Sequence, residues 1–166
     1  IAMLCCPSLL IGQVVFDNAT SGGFQSSGTT LTFSHTVNDA TNGVLIVGAY
    51  IRNSGTATVT GVTYNGVAMT LARERREAIF NVVYSSMWYL AAPATGANNV
   101  VVTFSTTPPT RSGAIAASFT GVDQTTPQDG GANNEATNQE STVTVTSATN
   151  DMVVDFTVIV NGNTGP

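Results

Sequence analysis

From Gln13 onward the chain offers no stretch that reads as an amphipathic helix. Val- and Thr-rich runs of strand length follow one another instead, separated at short intervals by clusters of Gly, Asn, Asp and Pro. The runs are QVVFD (13–17), TTLTFSHTV (29–37), GVLIVGAYIR (43–52), TATVTGVTY (56–64), VAMTLARE (67–74), IFNVVYSSMWYL (79–90), VVVTFS (100–105), AIAASFTGV (114–122), TVTVTS (142–147) and DMVVDFTVIV (151–160). β-Branched side chains fit a pleated, half-buried surface, and so many short runs in one domain pack as two stacked antiparallel sheets. The expected fold is therefore an all-β, two-sheet antiparallel sandwich, jelly-roll or immunoglobulin-like in connection.

Details of the runs sharpen this. GVLIVGAYIR is almost unbroken in its apolarity, which predicts a central strand buried on both faces. Asn65-Gly66 between two alternating runs is a strong hairpin signal, because both central residues of a type I′ turn need positive φ. In the run ending at Leu90, Tyr84, Ser86, Trp88 and Leu90 share one face.

At 166 residues and 42% apolar content, the chain is long enough for one sizeable core and needs no second domain. Five basic residues, all Arg, stand against ten acids for a net charge of −5. That balance excludes nucleic acid as a partner, since phosphate binding rests on clustered cations. Solubility falls to hydroxyls and amides, a composition associated with extracellular or particle-surface proteins.

Three segments resemble a known family. VTYNGVAMT, SMWYLAAPATGANNVVVTFS and SGAIAASFTGVDQTTP resemble secreted β-sandwich domains of bacteria, phages and environmental sequences. The resemblance is firmest from about Val59 to Asp129 and weaker from Phe16 to Val160. It implies a jelly-roll or lectin-like sandwich and no established activity. Members of that family run on past the equivalent of DFTVIVNG to further strands, so the resemblance also implies a sandwich short of its C-terminal strand.

The first twelve residues, IAMLCCPSLLIG, carry no charge. They are too short to span a bilayer, which takes about 20 apolar residues, and Leu4 before Cys5 does not suit a lipoprotein signal. A retained secretory leader, a core strand of the chain's own domain, and a strand lent to a neighbour are the readings that stand. In SLLIGQVVF, Leu10, Val14 and Phe16 fall on one face and Leu9, Ile11 and Val15 on the other. Burying six such side chains is worth on the order of 10 kcal/mol before entropy is subtracted, enough to hold two subunits together.

The expected organisation is thus an N-terminal donor strand, residues 1–12, on a single sandwich domain, residues 13–166. Leu4, Leu9, Leu10, Ile11, Val14, Val15 and Phe16 form the partner strand, and other copies of the chain are the partner. Head-to-tail exchange of this kind makes a filament unless it closes into a ring. The vicinal pair Cys5 and Cys6 is poorly placed for an ordinary intrachain bridge, which leaves buried thiols or pairing with another chain.

Chemistry is sparse elsewhere. His35 is the only histidine; it alternates with Phe33 and Leu31 and reads as a half-buried strand residue, with no nucleophile elbow in the sequence. Arg73, Glu74, Arg75, Arg76 and Glu77 form the most charged stretch. They read as a solvated strand end or intersubunit contact, since flanking arginines keep both carboxylates ionised and unsuited to glycosidase chemistry.

The loop after Val122 offers Asp123, Asp129, Asn133, Asn134 and Glu135 as oxygen ligands without the spacing of a calcium loop. No metal and no cofactor is expected. Asn18-Ala19-Thr20 is a candidate glycosylation sequon, placed by the sequence in a turn after the first strand. Carbohydrate binding would use exposed aromatics, whereas Tyr50, Tyr84, Trp88 and Tyr89 lie at strand positions that put most of them in the core. The reading is a non-enzymatic extracellular structural subunit; its rivals are a carbohydrate-binding adhesion module and, behind it, a lectin-like glycoside hydrolase.

Overall fold

The computed structural model describes residues 13–52, 54–77, 83–108, 111–134 and 142–159. Its nine strands are β1 (Val15–Gln25), β2 (Thr30–Val37), β3 (Val44–Arg52), β4 (Val59–Tyr64), β5 (Val67–Ala68), β6 (Thr70–Arg76), β7 (Val83–Ala91), β8 (Gly96–Phe104) and β9 (Arg111–Thr120). No helix among the described residues is long and apolar enough to cross a membrane.

The strands form a five-stranded sheet, β1-β9-β3-β7-β6, and a four-stranded sheet, β2-β8-β4-β5. Every pairing is antiparallel, and the partners are nested: β1 with β9, β2 with β8, β3 with β7, and β4 with β5. A single long hairpin has been rolled up, and the β3–β9 and β4–β8 ladders close it. This is a jelly roll.

Alternation explains which residues fill it. Leu45, Val47, Ala49 and Ile51 of β3 face inward with Ala114 and Ala116 of β9 and with Tyr84 and Trp88 of β7. Val62 and Tyr64 of β4 and Val100 and Val102 of β8 meet them from the other sheet. The shared face expected for Tyr84, Ser86 and Trp88 is the inward one, and the indole N–H of Trp88 donates to Ser86 Oγ at 3.0 Å.

Asn65 and Gly66 take φ of 49° and 77°, so the predicted turn is of type I′. The run VAMTLARE divides after that turn. Residues 67–68 finish the four-stranded sheet, Met69 is buried, and β6 starts in the other sheet.

Among the described residues β1 and β6 are the edges of one sheet and β2 and β5 the edges of the other. One expectation needs correction. TVTVTS and DMVVDFTVIV, which read as strands, join neither sheet over their described residues. Alternation reports a face to be buried, and this segment buries one by lying over the five-stranded sheet. Val154, Phe156 and Val158 are half-buried, while Val153, Asp155, Thr157 and Ile159 are exposed.

Gly48 of β3 is the seat for Phe156, whose ring stands where a Cβ on residue 48 would lie, 2.5 Å away. The outer face of β3 is therefore covered by the chain's own later residues. This is why its apolar run extends to both faces.

Candidate functional site

The most connected polar cluster joins β1, β2 and β9 where the two sheets meet. His35 is 1% exposed, a fully buried residue where a half-buried one was expected. Its Nε2 lies 3.2 Å from Ser118 Oγ, and its Nδ1 lies 2.9 Å from Thr20 Oγ1. Ser118 donates its one hydroxyl proton to Asp17 Oδ2 at 2.6 Å. Ser118 can then only accept from His35, so Nε2 carries the proton and Nδ1 accepts from Thr20.

Backbone irregularity makes this possible. The β1–β9 register shifts between Phe16 and Asn18, a bulge at Asp17. With the alternation broken, Asp17 and Asn18 both engage the β2 side: the Asp17 carboxylate accepts from the Asn38 N–H at 3.0 Å, and Asn18 Nδ2 donates to Thr36 O at 2.7 Å. Asn18 accordingly lies inside β1 and not in the turn that the sequence suggested. The amide that would bear a glycan is already spent on the β2 backbone.

Burial by itself raises the pKa of Asp17, but the hydrogen bonds from Ser118 and from Asn38 outweigh it and hold the carboxyl below its ordinary range. Burial lowers the pKa of His35, and the nearby Asp17 charge only partly opposes that. The three residue types of a hydrolytic triad are thus together, but in the wrong order. Serine sits between acid and imidazole, donates to the acid, and is 0% exposed. A nucleophile needs its proton taken by the imidazole and needs access to substrate. The cluster instead locks the β1/β2 edge to β9.

The charged stretch lies on β6, the outer strand of its sheet. Arg76 donates to Ser54 Oγ and Ala57 O, each at 2.8 Å, and to Gly55 O, and its guanidinium lies 5.3 Å from the Tyr84 ring centroid. Tyr84 donates to the Glu74 carboxylate. Burial first, and then that hydrogen bond and charge, push the tyrosine hydroxyl far above the ordinary phenol range.

Arg73 donates to Gly131 O at 3.1 Å, and Asn133 Nδ2 donates to Glu74 O at 3.0 Å. The 128–134 loop therefore runs along β6 and covers part of an open sheet edge. Arg75 and Glu77 lie at the same end of the strand. Arg76→Ala is expected to free the 54–57 turn and cost about 1–2 kcal/mol. Lys should not rescue it, because the fork geometry is what serves three acceptors. Faster amide exchange confined to residues 54–59, with a lower urea midpoint, checks this.

Asp123 accepts from the backbone N–H groups of Thr125 and Thr126 at 2.7 and 3.1 Å, and these bonds hold it below the usual carboxylate range. Asn133 Nδ2 donates to the β6 backbone and Asn134 Nδ2 to Thr142 O at 2.6 Å, so Asp123, Asn133 and Asn134 order this loop and its contact with β6. Glu135 lies outside the described residues, as do Leu4, Leu9, Leu10, Ile11, Cys5 and Cys6. Among the described residues no group of three His, Cys, Asp or Glu is placed to hold a metal ion.

Of the partner-strand residues, Val14 is half-buried, while Val15 and Phe16 are 54% and 56% exposed at the entrance to β1. Phe16 stacks edge-on against Phe119, with ring centroids 5.9 Å apart. Trp88 and Tyr84 belong to the core; Tyr50 and Tyr89 are half-buried on the outer face of the five-stranded sheet. Among the described residues, clefts open at two places on the surface. One, of about 410 Å³, is lined by Thr63, Asn65, Asn98 and Asn99; the other, of about 550 Å³, lies beside the 155–159 segment against Tyr50, Arg111 and Ile115.

Comparison with known proteins finds no matching family model, no matching curated protein and no matching solved structure.

Proposed function

We propose that this chain is an extracellular structural subunit that assembles by lending its apolar N-terminal segment, residues 1–12 running on through Val14, to a neighbouring copy, while Val15 and Phe16 stay paired with β9 of their own chain. The supporting observation is the entrance to β1, where two large apolar side chains stand exposed on a strand paired on one side only. An uncharged apolar segment leading into that entrance gains most by joining another β surface, where its backbone and both its faces are satisfied. The lent strand adds to a β surface of the neighbouring copy that its own chain leaves open. The reading is non-enzymatic, in keeping with a buried Ser118 that spends its proton on Asp17.

Deletion of residues 1–12 is the test. The full chain is expected to sediment as oligomers and the shortened chain as a folded monomer; assembly unchanged by the deletion would refute the reading.

An adhesion module that binds carbohydrate is the second reading. It is favoured by the cleft on the four-stranded sheet, where Asn65, Asn98, Asn99 and Thr63 present amides and a hydroxyl of the kind that bind sugar hydroxyls. Chemical-shift changes confined to those residues on adding neutral oligosaccharides would support it.

A further inference from the structure

We infer that the acceptor for the lent N-terminal segment is the stretch Asp151–Ile159 of the neighbouring copy, held extended across the outer face of the five-stranded sheet by Phe156 over Gly48. This rests on the strand-lending reading above and names its receiving surface.

Three observations lead there. From Val153 to Ile159 exposure alternates as in a strand, yet the stretch forms no ladder with any described strand. It is anchored from below: Gly48 has no Cβ, and the Phe156 ring occupies that space. Its outward side is mixed: Val153 and Ile159 stand 59% and 82% exposed at either end, with Asp155 and Thr157 between them, so two large apolar side chains there lack cover.

The occupant follows from complementarity. Residues 8–14, SLLIGQV, are uncharged and apolar on both faces, and at strand rise they extend about 23 Å, matching most of a nine-residue partner. They lead directly into β1, which begins at Val15. The cleft beside residues 155–159, walled by Tyr50, Ile115, Phe156 and Val158, receives side chains from an added strand, with Arg111 at its border. A copy that lends at one end and receives at the other makes a heterologous contact, which propagates.

The experiment uses full-length chains. Leu10→Asp spoils the lent segment, and Val153→Asp spoils the receiving one at a position exposed enough to leave the fold intact; far-UV circular dichroism checks that both stay folded. In sedimentation velocity the unaltered chain is expected to form oligomers and each variant alone to run as a monomer, its assembly at least tenfold weaker. An equal mixture of the two should give a species of twice the chain mass and nothing longer, since one intact donor meets one intact acceptor and the other two ends are blocked.

If Val153→Asp and Ile159→Asp assemble like the unaltered chain while Leu10→Asp does not, the acceptor lies elsewhere, and this inference fails while strand lending stands. If Leu10→Asp assembles normally, or the unaltered chain is monomeric throughout, strand lending fails and the acceptor assignment with it. A mixture that stays monomeric also overturns the assignment.

Discussion

Tyr64→Ala is expected to lower the stability of the roll by about 4 kcal/mol, within the range for removing a buried aromatic ring. Tyr64 is 0% exposed and ends β4 just before the Asn65-Gly66 turn. Its hydroxyl donates to Gly96 O at 3.0 Å, lies 3.3 Å from His35 O, and accepts from Asn98 Nδ2. One side chain thereby ties β4 to the start of β8 and to β2.

Truncation leaves a cavity in the core cluster that Tyr64 shares with Val37, Val62 and Val100 and also strips partners from these polar groups. Tyr64→Phe keeps the ring and loses only the hydroxyl, for about 1 kcal/mol. Urea midpoints of the two variants separate packing from hydrogen bonding. Equal losses would mean that the ring contributes little beyond its hydroxyl.

The second large effect is expected at His35. His35→Leu fills most of the space but strands Thr20 and Ser118, both oriented by the imidazole, at a cost of about 2–3 kcal/mol for buried groups left unsatisfied. It should also remove a pH dependence. The folded-state pKa of His35 lies below the ordinary 6.5, so between the two values the unfolded chain binds the proton that the folded chain refuses.

The stability His35 contributes is therefore complete above about 6.5 and is lost as pH falls through its lower folded value. Asp17 acts in a second, more acidic window. Its carboxyl is also held below its ordinary 3.8, so its contribution is present above that value and disappears as pH falls further. Unfolding by urea from pH 8 down to pH 5 should show a falling midpoint in the unaltered chain and a flatter one in His35→Leu. Equal slopes would place the titrating group elsewhere.

Much of the roll is legible from the residues alone because alternation, turns and β-branched content are local. The runs 29–37, 43–52 and 56–64 appear as strands with nearly the expected ends, and Asn65-Gly66 appears as the turn it is. The inward face of Tyr84, Ser86 and Trp88 follows from a period of two and nothing else. The candidate polar site is less legible. An Asp-Asn pair inside an otherwise apolar and hydroxyl-rich run hints at a bulge, but its meaning depends on Ser118, roughly a hundred residues away, and on a break in register that alternation cannot foresee.

Local pattern by itself determined the β class, the positions of most strands, the hairpin turn and the identity of the core, because each is settled by which side of a pleat a residue occupies. Only the tertiary structure decided that the roll closes with β9, that VAMTLARE splits between two sheets, and that the strand-like 151–159 stretch lies on a sheet face without joining it. The reason is physical: a period of two states that a face must be covered, while backbone pairing is a contest among distant segments that only the assembled sheets resolve.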